Sequence, residues 1–390
     1  MNDNERQILV VGGTGVISFA VVTEALKHGF KVVCINRGKS KAQALDPSVE
    51  VILSDYRDRQ KIEDAIKDRH FELVIDVLCY NESDIEYSVS LFGNHCNQYI
   101  FFSSAEVYNK PLYEQAVCNE NADMPNPNWT YSIGKANCEK KLMELAPNFG
   151  FKYTIIRPAI TYGNTRIPYG FMPPYGYHGT IIQRILNHKP LILFNDGKNY
   201  AAITRVEDFA IGLVGLIGNP KAFNQAFHIV GEESYTWKEV LDTLGLVLGV
   251  TPIYVSADSQ LIGQEMPNLR EQIIGGRSYS QKLDNSKLKN AVPEFKTTIT
   301  LKKGLEMTVD YYRSHQYING MDFSFDAAMD RIITKHCKSK GVDTKQYNLG
   351  FVDYLGNASI NDRLTYWMEY RNNNVVGKIL RKCISLAKSI

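Results

Sequence analysis

Short, continuous apolar runs recur along the first half of the chain, and most are closed by Gly, Asn, Asp or Ser. Ile8-Leu9-Val10-Val11 runs into Gly12-Gly13-Thr14-Gly15, and Lys31-Val32-Val33-Cys34-Ile35 into Asn36-Arg37-Gly38. Val49 to Leu53 ends at Ser54-Asp55, Phe71 to Leu78 is a fourth run, and Gln98 to Phe102 ends at Ser103-Ser104. Helix-compatible segments lie between them: 19–26, 58–67, and one through Val89 and Leu91. Tyr131 opens a longer one to about Ala146, with Cys138, Leu142 and Leu145 as its apolar face. Strands without polar alternation are buried on both faces, so their alternation with helices predicts an α/β fold with a doubly wound parallel sheet. Ligands of such sheets gather at the carboxyl ends of the strands.

The first run ends in the most informative turn. A backbone that bends sharply and brings its N–H groups against a pyrophosphate has no room for β-carbons, which suits Gly12, Gly13 and Gly15. The helix that follows offers its positive end to an anion. Gly12, Gly13, Thr14, Gly15, Val16 and Ile17 are therefore candidate dinucleotide-binding residues. At the end of the second strand an acidic side chain would accept hydrogen bonds from the adenosine ribose, whereas an arginine neutralises a 2′-phosphate. This chain carries Asn36 and Arg37, which ranks NADP ahead of NAD. Asp55 is either an acceptor for the adenine amino group or the cap of the next helix.

Composition narrows the setting. The 390 residues can bury a substantial core, and 44% hydrophobic with 22% charged residues is an ordinary globular balance. Forty-four basic against 42 acidic residues leave a formal charge of +2, which makes no global case for nucleic-acid binding. The seven cysteines are odd in number and lack C-x-x-C spacing, so a reducing cytoplasm is expected and no metal site is readable. Residues 1–6 have no apolar core of the kind a signal peptide needs, and no apolar run reaches membrane-span length.

Tyr131 and Lys135 are four apart at the start of the long helical segment and so share a face. A lysine there lowers the tyrosine's pKa and makes it a usable acid or base. Ser104 closes the fifth strand, where chemistry is expected.

Taken in order, Gly12-Gly13-Thr14-Gly15-Val16-Ile17-Ser18, Ser103-Ser104-Ala105-Glu106-Val107-Tyr108, Tyr131-x-x-x-Lys135 and Arg157-Pro158-Ala159-Ile160-Thr161-Tyr162-Gly163 resemble the extended short-chain dehydrogenase/reductase superfamily. The likeness is to its NAD-dependent epimerase/dehydratase (nucleotide-sugar) branch, and it covers residues 7 to about 312. The resemblance implies a Rossmann-type sheet with a smaller C-terminal substrate-binding lobe, here followed by a helical extension. The corresponding boundaries are 1–162 for the nucleotide-binding domain, 163–312 for the lobe with some segments returning to the core, and 313–390 for the extension. It further implies that Tyr131 exchanges a hydroxyl proton, that Ser104 hydrogen-bonds the same oxygen, and that Lys135 binds the nicotinamide ribose. Pro158 joins the cofactor-binding set. Hydride passes between the sugar carbon and the nicotinamide, the cofactor doing the redox work.

Four positions depart from the family pattern. Ser18 stands for the third glycine, with only a slightly wider helix-to-strand approach expected. Ala105 stands where a dehydratase holds its acid, while Glu106 keeps the place of the partner base. Glu106 is thus either a second acid/base or a carboxylate bonded to backbone or Lys135. Ile160 and Ala201 replace an asparagine and an arginine that serve the substrate diphosphate in many relatives. Arg205 or Arg277 can substitute, since a guanidinium clamps a phosphate bidentately.

Residues 167–179 are rich in Pro, Gly and aromatics and read as a substrate wall, with Tyr175 and His178 as candidate contacts. The basic, amphipathic stretch 375–390 reads first as a helix packed on the domain or across a homodimer, and second as one lying on an acidic membrane surface. The expected function is an NAD(P)-dependent sugar-nucleotide epimerase working through a keto intermediate. A ketoreductase using the same triad is the alternative. A third reading, from another class, is a non-catalytic NAD(P)-binding or RNA-binding protein, because the Asn36-Arg37-Gly38 ending resembles such atypical members.

Overall fold

The structure is a computed structural model and describes residues 6–38, 43–114, 116–173, 178–315, 321–350, 356, 358–371, 375, 379 and 382. The apolar runs become strands: β1 (Gln7–Val11), β2 (Lys31–Asn36), β3 (Glu50–Leu53), β4 (Phe71–Asp76) and β5 (Cys96–Phe102). Between and after them lie α1 (Val16–Lys27), α2 (Arg59–Ile66), α3 (Glu82–Phe92) and α4 (Thr130–Phe149). The chain divides into two compact units, one of residues 1–164, 200–235 and 279–304, the other of residues 165–199, 236–278 and 305–390.

The first unit is built on a seven-stranded sheet in the order Gln225–Phe227, Lys152–Ile156, β5, β4, β1, β2, β3. Every pairing in it is parallel. The strand order reverses between β1 and β4, and that switch point opens a crevice at the carboxyl ends. Both faces are covered, as continuous apolar strands require. Ile8 and Val10 pack with Val21, Ala25 and Phe209 on one side, while Leu9 and Val11 pack with Ile85, Val89 and Leu142 on the other. Full burial of such a side chain contributes roughly 1.5–3 kcal/mol. Helix α4 ends where Gly150 adopts a left-handed φ of 78°. A smaller parallel pairing joins Ile160–Tyr162 to Tyr200–Arg205 in the same unit.

The second unit pairs Leu191–Phe194 with Tyr254–Ala257, again in parallel. Thr236 caps the helix Trp237–Leu248 in a reciprocal capping box with Glu239. The helix Phe323–Ser339 carries the unit's most constrained contacts. Asp326 and Asp330, one turn apart, meet Arg184 and Lys189, and all four side chains are fully buried. Arg184 pairs with Asp326 and, at 2.9 Å, with Asp330; Lys189 reaches Asp326 at 2.9 Å and Asp330 at 2.7 Å. Tyr366 and the Gly350 N–H complete the donors to Asp330.

Of the basic stretch 375–390, Val375, Ile379 and Lys382 fall among the described residues, helical and exposed; the rest of that reading lies outside them. No described helix is long and apolar enough to cross a membrane.

The buried cluster makes a quantitative expectation. Asp326→Ala removes one of the two buried carboxylates that, among the described residues, face Arg184 and Lys189, and should cost about 3–5 kcal/mol, read as a drop in the urea midpoint. Breaking the exposed Lys238–Asp242 pair by Lys238→Ala should cost less than about 1 kcal/mol.

Candidate active site

The glycine turn between β1 and α1 is fixed by geometry that only glycine permits. Gly12 has a φ of +85°, and its N–H donates to the Ile35 carbonyl of β2 at 3.0 Å. A β-carbon on Gly13 would collide with the Cys34 thiol beneath it. Ser18, the departure from the third glycine, does more than keep a small size. Its hydroxyl donates to the Gly12 carbonyl at 2.5 Å and accepts from the Gly15 N–H at 3.0 Å, so it braces the turn across its base. Val16 and Ile17 follow in the first turn of α1, where N–H groups have no partners inside the helix. Thr14 is half-buried and Gly15 exposed at the rim.

At the end of β2, Asn36 is buried and its amide nitrogen has no hydrogen-bond partner among the described residues, while Arg37 is exposed. An unpaired buried donor beside a turn that excludes β-carbons fits an adenosine ribose and a pyrophosphate. Asp55 is not the helix cap: Asp58 caps α2 by accepting from the Lys61 N–H, and the exposed Asp55 carboxylate accepts from the Arg57 N–H at 2.9 Å.

Lys135 is the most constrained group of the site. Its side chain is buried, and its ammonium donates to the Cys79 carbonyl at 2.6 Å, in the loop three residues beyond β4, and to the Phe102 carbonyl at 2.8 Å, at the last residue of β5. Burial pulls its pKa below the ordinary lysine value. The nitrogen lies 4.6 Å from the ring centre of Tyr80 and 6.0 Å from that of Tyr131. Tyr131 is half-buried against Trp129, their ring centres 5.2 Å apart. Gly134, between the two, makes this approach possible, since a β-carbon there would stand 2.8 Å from the Tyr80 carbonyl oxygen.

Ser104 is buried and its hydroxyl oxygen accepts from the Glu106 N–H at 3.2 Å, which leaves its own proton to donate. The turn that follows is pinned on both sides. The Ala105 N–H donates to the Pro158 carbonyl at 2.9 Å, and the Gln281 amide donates to the Ala105 carbonyl at 2.7 Å. Glu106, for which the sequence suggested backbone or Lys135 as a partner, forms a buried ion pair with Lys110 at 2.5 Å.

Two of the candidate substrate residues sit differently from expectation. Arg205 is fully buried and engaged within the fold by Glu207 at 2.6 Å, the Gly304 carbonyl at 3.0 Å and the Asn164 side chain, which removes it as an outward diphosphate clamp. His178, in the second unit, is buried and accepts the Ile167 N–H on Nδ1 at 2.9 Å. Burial pushes its pKa down to about 3, so it is a neutral structural group. Arg277 ends a π-helical turn, Glu271–Arg277, and its carbonyl accepts from the Trp237 indole. Tyr175 lies outside the described residues.

Two networks escape a reading by periodicity. Arg157 is clamped by Glu139 at 2.9 and 2.6 Å and donates to the Tyr108 hydroxyl at 2.8 Å; Ser103 also bonds Glu139. Asp76, at the end of β4, is fully buried and accepts from the Tyr56 hydroxyl at 2.8 Å, the Ser88 hydroxyl at 2.5 Å and the Leu78 N–H at 2.6 Å. An acidic residue inside an apolar run, and Glu139 one turn beyond Lys135, were the available signals.

A parallel sheet in this order, a glycine turn after its first strand and a Tyr-x-x-x-Lys helix beside the strand ends define a Rossmann-type protein of the extended short-chain dehydrogenase/reductase class. Residues 8–230 match the NAD dependent epimerase/dehydratase family, and the chain belongs to it, a family of enzymes. Among curated proteins it is 26% identical over 246 residues to the chloroplast stem-loop binding protein of 41 kDa b of Arabidopsis thaliana, covering 60% of this chain and 61% of that one. It is 25% identical over 151 residues to an uncharacterized UDP-glucose epimerase of Bacillus subtilis, covering 39% and 45%. The chain thus spans about 60% or less of the length of these relatives. Its fold is shared with the UDP-glucose 4-epimerase of Thermotoga maritima, solved with UDP-glucose, at a TM-score of 0.64 and 20% identity over 80% of this chain and 99% of that one. It is shared likewise with the UDP-glucuronic acid 4-epimerase of Bacillus cereus, solved with NAD, at 0.62 and 19% over 79% and 97%.

Two outcomes follow from the packing. In an unconstrained helix Gly134→Ala would gain roughly 1 kcal/mol; against the Tyr80 carbonyl we expect a lower melting temperature and weaker NAD(P)H binding instead. His178 stays neutral in the folded protein down to about pH 3, while an unfolded histidine protonates near 6.5. The unfolded chain therefore holds more protons in between, and stability falls as the pH drops through that window. Urea titrations at pH 7 and pH 4.5 should show a smaller acid loss for His178→Gln than for the wild type.

Proposed function

We propose that the protein is an NAD(P)-dependent epimerase-type oxidoreductase acting on a sugar nucleotide, with Tyr131 as its acid/base. The observation that carries this reading is the buried Lys135 ammonium, held by the carbonyl that ends β5 and one in the loop after β4, one helical turn from a half-buried tyrosine. Two of its three N–H bonds are spent on those carbonyls, and the third is available to a ribose hydroxyl. Gly12, Gly13, Thr14, Gly15, Val16 and Ile17 would hold the pyrophosphate, Asn36 the adenosine ribose and Pro158 the nicotinamide half. The exposed Arg37, with no acidic residue ending β2, supports NADP ahead of NAD.

When bound, the dinucleotide supplies the chemistry of accepting a hydride from a carbinol carbon and returning it. Tyr131 takes the hydroxyl proton during oxidation and gives it back during reduction, its phenolate favoured by the nearby ammonium. Ser104 donates its proton to the same oxygen. Ala105, buried at the dehydratase acid position, and the ion-paired Glu106 speak for hydride chemistry without loss of water. With Arg205 engaged inside the fold, Arg277 is the remaining candidate for the substrate diphosphate.

Tyr131→Phe should reduce turnover on a panel of nucleotide sugars by about 10²-fold or more while NAD(P)H still binds. Full turnover in that variant would overturn the role of Tyr131. Mass spectrometry of ligand released on denaturation separates NAD from NADP. Activity without added cofactor marks an epimerase, and stoichiometric NADPH consumption marks a ketoreductase. No turnover across the panel together with salt-sensitive binding of RNA would overturn both.

A further inference from the structure

We infer that Asp76 is the positioning residue that joins the glycine turn to the Lys135 side of the cofactor site; the inference rests on the proposed cofactor role of Lys135. A carboxylate without exposure to water must be surrounded by donors, and the two oxygens of Asp76 are served from different directions. Oδ2 faces the core and accepts from the hydroxyls of Tyr56 at 2.8 Å, Ser88 of α3 at 2.5 Å and Tyr99 of β5 at 3.4 Å, with the Cys79 thiol at 3.4 Å. Oδ1 accepts from the backbone N–H of Leu78 at 2.6 Å, two residues on in the loop that leaves β4.

That loop touches the site at both edges. A β-carbon on Gly12 would come within 3.1 Å of Val77 and 3.6 Å of Leu78, so these side chains lie against the glycine turn. One residue further, the Cys79 carbonyl holds the Lys135 ammonium, and the Tyr80 carbonyl lies against Gly134. The far end of the loop is fixed separately, by Asp84 accepting the Tyr80 N–H at 2.9 Å. Asp76 therefore anchors the near end, tying the backbone that carries the lysine's acceptor to a core carboxylate. It acts through Leu78 and Cys79 and needs no contact with the cofactor. A neutral or shorter side chain would free the loop, whereas removal of one core hydroxyl would loosen only the anchor's surroundings.

The test uses the full chain, NADPH and NADH as probes, and two readouts: affinity from nucleotide fluorescence without substrate, and the urea midpoint. Asp76→Ala should weaken binding about tenfold or more, as expected when a binding group is misplaced. Asp76→Glu, which keeps the charge among the hydroxyls but pushes the loop outward, should weaken it too and covers the case in which the alanine variant does not fold. Tyr99→Phe removes a hydroxyl from the same carboxylate; it should lower the midpoint and leave affinity within about twofold. An Asp76 variant that is folded by near-ultraviolet circular dichroism and binds like the wild type overturns the inference, as does an equal loss of affinity in Tyr99→Phe. Lys135→Ala separates the two levels: wild-type affinity in that variant removes the cofactor role of Lys135. A wild-type protein that binds cofactor but turns over no nucleotide sugar overturns the proposed activity and leaves the anchoring role of Asp76 intact.

Discussion

An ammonium taken out of water has to find oxygen atoms at its own level, and the first unit is arranged around that requirement at Lys135. Two carbonyls from adjacent chain segments must converge on one nitrogen. Parallel neighbours such as β4 and β5 end on the same side of the sheet, so the loop that leaves β4 can bring its Cys79 carbonyl beside the Phe102 carbonyl that ends β5, which antiparallel neighbours would not provide. Burial still draws the lysine's pKa down, and the ammonium can leave solvent because those dipoles, and the faces of Tyr80 and Phe101, take over part of the role of water. The sheet order, the absence of a side chain at Gly134 and the braced loop after β4 can all be understood as conditions for that placement.

Elsewhere the molecule buries charge in compensated sets. Glu139 with Arg157 and Glu106 with Lys110 flank the serine turn, and the second unit encloses two cations with two carboxylates. Such sets add little net stability compared with well-packed apolar groups, yet one member cannot move without exposing another to an unpaired charge. Their effect is to confine the backbone that carries them. This accounts for the fixed orientation of the Ser103–Val107 turn, which is tied from below through Glu139, from the side through Pro158 and Gln281, and along its length by Lys110.

The parts legible in the sequence were those encoded locally. Continuous apolar runs announced the parallel sheet, consecutive glycines the turn, and a four-residue interval the shared face of Tyr131 and Lys135. Contacts that join distant parts of the chain were not legible. Arg205 has the chemistry of a phosphate clamp, but its carboxylate partner two residues on and the Gly304 carbonyl turn it inwards. His178 looked available because nothing near it in sequence shows that it is buried. Glu106 met Lys110 rather than Lys135 because the short 3-10 turn after Ser104 brings the nearer lysine around. Asp58 displaced Asp55 as a cap through a difference of one turn that composition cannot resolve. Lys189 and Asp330 lie far apart along the chain, and only folding joins them.

Under the proposed cofactor role of the glycine turn, the serine that closes it bears on how the nucleotide comes and goes. In a bare glycine turn, mobility is lost when the pyrophosphate arrives, and that entropy is charged against affinity. With the Ser18 hydroxyl bonded to Gly12 and Gly15, the same backbone is already ordered when the chain folds. The nucleotide then docks on a mould whose shape does not depend on it, and its departure leaves the mould standing.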